Sequence, residues 1–129
     1  MTHAFVPHHL IDFAEYLNEK EFSDRNYDLQ CICRTIINRA YLSTYLHTEE
    51  WIIANGPYYD VKEYSDKDVG YHTAILIALT KLNKHHISGI YKEFIELRID
   101  ADYNIVTIID SSDAQKALDL ASQIQNALQ

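Results

Sequence analysis

Residues 23–56 read SDRNYDLQCICRTIINRAYLSTYLHTEEWIIANG. No proline interrupts this stretch before its end, and no glycine occurs until Gly56. A run of roughly thirty residues without a breaker predicts one long helix, well beyond the globular average of about 11–12 residues. Ser23 or Asp24 is placed to cap its start, and Asn55-Gly56-Pro57 to stop it. At about 100° per residue, Leu29, Cys33, Ile36, Ala40, Thr44, His47 and Trp51 fall close to one line. Ile32 and Ser43 lie beside that line and Arg39 sits at its edge, whereas Arg34, Asn38, Tyr45 and Glu49 occupy the opposite side. The inward stripe is therefore mostly apolar, yet it carries a histidine and is flanked by an arginine and a serine. Such groups need partners near a buried face, because burying a polar group unpaired costs about 2–7 kcal/mol.

The remaining composition fits a helical protein. The chain has 129 residues, 47% of them apolar, with three glycines and two prolines. That length suits a single domain over residues 1–129, and the scarcity of turn residues favours helices over strands. The ten tyrosines can stack on bases or fill half-wet positions between helices. A formal net charge of −8 excludes nucleic-acid binding by general electrostatic attraction. No DNA partner is expected, and any RNA contact must be local, short or assembled from several subunits. Cys31 and Cys33 point in different directions on a helix, and free thiols without a signal-like N-terminus suggest the cytoplasm. No run approaches the roughly 18 apolar residues of a membrane span.

Along the chain, residues 1–7 read as a lead-in ended by Pro7. Leu10, Phe13, Ala14 and Leu17 predict a first helix over about residues 8–22, joined to the long helix near residues 21–24. Residues 55–68 read as a surface connection. Residues 69–82 predict a largely buried helix, 83–86 a polar break, and 87–103 another helix. The β-branched run 105–109 suggests a short extended segment laid across the bundle, although no partner strand is evident. Ser112 with Gln115 suggests a capping box for a last helix that buries Ala114, Ala117, Leu118, Ala121, Ile124 and Leu128. The expected fold is an all-α, up-and-down bundle of about five helices.

The chemistry open to these residues is narrow. Seven histidines are present, but no metal-ligand spacing and no glycine-rich phosphate loop, so neither a metal nor a cofactor is expected. Arg39 and His47 remain. An arginine can hold a phosphate and stabilise its extra charge in the transition state, and a histidine can move a proton near neutral pH. Together they are enough for metal-free RNA cleavage, with Ser43 placed between them to bond the substrate. The alternative is structural: a core histidine bonded to a carbonyl or tyrosine, and an arginine bonded to a carboxylate.

Three patches resemble the small prokaryotic HEPN proteins: NRAYLSTYLH at residues 38–47, GYHTAILIAL at 70–79 and ELRIDADYN at 96–104. With the final helix, the resemblance covers about 90 residues in order. It implies an all-α bundle, commonly a homodimer. In active relatives, paired Arg/His motifs in a shared cleft cut RNA without metal. Many such proteins are toxins or parts of phage defence, often paired with a small nucleotidyltransferase antitoxin. The motif arginine maps to Arg39 and the motif histidine to His47, with Asn38, Ser43 and His72 in support. Seven residues separate Arg39 from His47, one more than the family motif usually allows. Arg98, Asp102 and Tyr103 match the third patch. The resemblance thus implies a HEPN-type endoribonuclease or, alternatively, a catalytically inactive module that partners a nucleotidyltransferase or binds a nucleotide.

Overall fold

The apolar spacing is taken up as five α-helices, with no strand among the described residues, in a computed structural model that describes residues 8–19, 29–56 and 70–129. They are α1 (His8–Glu19), α2 (Leu29–Asn55), α3 (Tyr71–Lys81), α4 (His85–Tyr103) and α5 (Ser111–Ala127). The all-α bundle is as expected. The expected cap at Ser23 or Asp24, the joint near residues 21–24 and most of the 55–68 connection lie outside the described residues. His85 and His86 open α4 rather than forming a break before it.

The hub is α2, which packs against all four other helices. It buries Cys33, Ile36, Ala40 and Thr44 as the wheel predicts, and also Ile37, Tyr41, Ser43, Thr48 and Ile52. A helix with neighbours on several sides has no single inward stripe. Leu29, expected inside, is 58% exposed, and Trp51 is half-buried. Around α2 the core gathers Ile11 and Ala14 of α1, Ile75 and Leu79 of α3, Tyr91 and Phe94 of α4, and Ile124 of α5. Each large apolar side chain buried there contributes about 1.5–3 kcal/mol relative to exposure.

Local chemistry sets the ends of the later helices. After α3, the Lys84 amide bonds the Leu79 carbonyl at 2.8 Å and the Asn83 amide bonds Thr80 at 3.1 Å. This is a Schellman closure, and it puts Asn83 at φ 62°. At α5 the cap is Asp110, not Ser112. The Asp113 amide donates to Asp110 Oδ1 at 3.0 Å, and Asp113 Oδ2 accepts from the Asp110 amide at 3.0 Å. Ser112 instead donates its hydroxyl to Asp110 at 2.6 Å.

The β-branched run at 105–109 opens with a turn and bend over 105–107 and forms no strand. Its missing partner is a side chain. Gln30 accepts from the Ile109 amide at 2.9 Å and donates to the Ile109 carbonyl, as a neighbouring strand would. Arg34, assigned by the wheel to the side away from the core, donates to the carbonyls of Asp100, Ala101, Asn104 and Thr107. The guanidinium thus adds charged donors to carbonyls of the last turn of α4 and of the segment that follows it. This clamp fixes the C-terminal turns of α4 against α2, and those turns carry the polar residues of the site.

Candidate functional site

One turn beyond Arg34 on α2, Asn38 donates its amide to both carboxylate oxygens of Asp102, at 3.1 and 3.3 Å. Asp102 lies four residues after Arg98 on α4, and Arg98 Nε approaches its Oδ2 at 2.8 Å. That approach is an ion pair without hydrogen-bond alignment, so the buried Nε has close charge compensation but no aligned acceptor. The guanidinium also lies over the rings of Tyr41, at 5.5 Å, and Tyr103, at 5.2 Å. Cation–π contacts of this kind hold a planar cation in place without consuming its N–H donors.

Across from Arg98, the first turn of α3 brings His72 against Tyr41 and Tyr45, with ring centroids 5.2 and 5.3 Å apart. His72 Nδ1 is hydrogen-bonded to the Tyr41 hydroxyl. The buried Tyr91 hydroxyl donates to that same Tyr41 oxygen at 3.4 Å. Tyr91, Tyr41 and His72 thus form one hydrogen-bonded chain from the core to the cleft. Burial, with a smaller contribution from Arg98, pushes the His72 pKa down. Burial likewise raises Tyr41 to about 12. Both shifts favour the neutral forms of the two side chains.

Asn38, Tyr41, Leu42, Tyr45, Tyr71, His72 and Arg98 line a cleft of about 310 Å³ between α2, α3 and α4. That volume is at the small end for a ligand pocket. The cleft has aromatic walls, a guanidinium, a neutral imidazole and a side-chain amide. Tyr45 donates to Glu49 at 3.0 Å on one wall. Burial and this carboxylate keep the Tyr45 phenol protonated far above neutral pH.

The structure distributes the sequence-predicted residues over two faces of α2. Asn38 and His72 share the cleft. Ser43 is fully buried and accepts from Gln125 of α5 at 3.2 Å, alongside Thr44 at 3.1 Å. His47 is half-buried, and its Nε2 bonds the Leu128 carbonyl at 2.6 Å, beyond the end of α5. Arg39 is exposed. Arg39 and His47 are eight residues apart on one helix, which separates their backbones by about 12 Å along the axis. A smaller hollow of about 250 Å³, formed by His47, Glu50, Trp51, Ala54, Asn55 and the last two residues, lies beside that histidine. Among the described residues, no three His, Cys, Asp or Glu side chains are placed to hold a metal ion. No described helix is long and apolar enough to cross a membrane.

Arg98, Tyr41, Tyr45 and Tyr71 complete the cleft and were not singled out as binding residues by sequence. The four-residue spacing of Arg98 and Asp102 signals their ion pair, but only the fold brings α3 beside it. Comparison with family models, with curated proteins and with solved structures gives no match.

Proposed function

We propose that the chain is a HEPN-like binding module that takes up a nucleotide, free or within single-stranded RNA, in the cleft between α2, α3 and α4, and does not cut it. The observation that carries this reading is the convergence of Arg98, His72 and Asn38 with three tyrosine rings in one ligand-sized cleft. Aromatic faces that stack a base, with polar groups at its edge, are the usual means of holding single-stranded nucleic acid. A local site of this kind is also compatible with a net charge of −8, because it does not depend on a basic surface.

Catalysis by Arg39 and His47 is the less favoured reading. A proton-transfer group must reach the reacting oxygen while a cation holds the phosphate. Here His47 Nε2 is bonded to a backbone carbonyl. One observation favours a metal-independent endoribonuclease nonetheless: Arg39 is exposed, so a second copy could complete a shared centre. In that case the protein would act as a homodimer, as a toxin or in phage defence. A small nucleotidyltransferase would suit either reading as a partner.

Incubating the purified protein with mixed RNA in excess chelator, beside Arg39→Ala and His47→Ala variants, separates the two. Intact RNA in all three samples is the expected result. Cleavage by the parent, lost in both variants, would establish the nuclease and overturn the binding-only reading.

A further inference from the structure

We infer that Tyr103 is a second stacking platform beside the cleft, so that the ligand is a single strand of two or more nucleotides rather than a free mononucleotide. This inference rests on the nucleotide reading above and specifies the length of ligand that the same site takes.

The cleft by itself has room for one base. Its volume of about 310 Å³ is at the small end for a ligand pocket, so the neighbouring base of a strand must lie outside it. Arg98 leads outward. Its guanidinium lines the cleft and lies over Tyr41, 3% exposed, at 5.5 Å, and also over Tyr103, 67% exposed, at 5.2 Å. One cation thus joins a buried ring of the cleft to an open ring at the surface. The guanidinium covers one face of Tyr103, and the exposure of the residue leaves the opposite face to solvent.

The open ring is also held in place. Arg98 Nη2 donates to the Tyr103 hydroxyl at 3.4 Å, and Asp102 anchors Arg98 in turn, 2.8 Å from its Nε. Asn38 donates to both oxygens of that carboxylate. Tyr103 is the last residue of α4, a position where helices ordinarily fray. Here Arg34 bonds the carbonyl of Ala101 at 2.9 Å and that of Asn104 at 3.2 Å, on either side of it. An aromatic ring fixed in this way loses little conformational freedom when a flat ligand stacks on it. Every base has a π-face, so the platform accepts the neighbouring nucleotide whatever its identity.

The test is a calorimetric titration of the full chain with adenosine monophosphate and with the dinucleotide pApA, repeated on Tyr103→Ala and Tyr103→Phe proteins of unchanged melting midpoint. The parent is expected to bind pApA about fivefold or more tighter than adenosine monophosphate, the scale of one added base–aromatic stack. Two equivalent bases give only about twofold by chance. Tyr103→Ala is expected to bring the ratio of the two affinities down to about twofold or less. Tyr103→Phe, which keeps the ring and loses the hydroxyl, is expected to retain the gain. Equal affinities in the parent, or a gain that survives Tyr103→Ala, overturn the second platform and leave the nucleotide reading standing. A loss on Tyr103→Ala that falls equally on both ligands also overturns it, since the ring then acts on the cleft through Arg98. No binding of either ligand by the parent removes both readings.

Discussion

Arg34 shows how much one side chain can hold. Its guanidinium serves four carbonyls at and beyond the end of α4, so methionine there would leave those acceptors without their charged donor. Arg34→Met is expected to destabilise the fold by about 3 kcal/mol, the scale for losing charge-assisted hydrogen bonds at a part-buried site. Urea unfolding measures it, and a loss below about 0.5 kcal/mol would show that water replaces the guanidinium freely. His72 gives a pH signature. Burial, then Arg98, holds its pKa below the ordinary value. The unfolded chain therefore takes up the proton more readily, from about pH 6.5 downward. Its contribution is complete above that value and is lost as pH falls through the lower folded-state pKa. The urea midpoint should drop between about pH 7.5 and about pH 5.5, and drop less in His72→Gln. An equal drop in both proteins would assign the effect to other groups.

At the scale of elements, the closure after α3 makes a sharp prediction. Asn83 sits at φ 62°, a left-handed conformation that a β-branched residue resists. Asn83→Val should cost about 1–2 kcal/mol in thermal or urea unfolding, whereas Asn83→Gly should be neutral or stabilising. A harmless valine would mean that the turn can rearrange. The five helices were legible because their apolar spacing and breakers are local signals. The wheel of α2 was only half legible. It assumed one buried face, and α2 is surrounded. Gln30, Arg34 and Asn38, four apart, form a polar stripe that reads as solvated until the end of α4 is laid along it. The run at 105–109 misled in the same way, since its strand-like composition is answered by the Gln30 amide rather than by another strand. Asp110 was missed as a cap because Ser112 offered a similar pattern two residues later.

For the whole molecule, the site was legible in part. His72 and Asn38 were picked out by the resemblance, but their meeting depends on contacts between residues 31 and 64 positions apart, which no local pattern encodes. Arg39, Ser43 and His47 share one long helix, yet their environments differ: solvent, the Gln125 amide and the Leu128 carbonyl. Spacing along a helix cannot predict which neighbour a side chain will meet. The proposed binding role accordingly uses the cleft of α2, α3 and α4 rather than the Arg39, Ser43 and His47 series of α2. The direct measurement is equilibrium binding of a fluorescent single-stranded RNA of mixed sequence to the parent, Arg98→Lys and Arg39→Ala proteins, each shown to be folded by its melting midpoint. The prediction is that Arg98→Lys loses about tenfold or more in affinity, because lysine lacks the planar guanidinium held over Tyr41 and Tyr103, while Arg39→Ala stays within about twofold. Loss on Arg39→Ala with full binding by Arg98→Lys would contradict the account and move the site to the exposed face of α2.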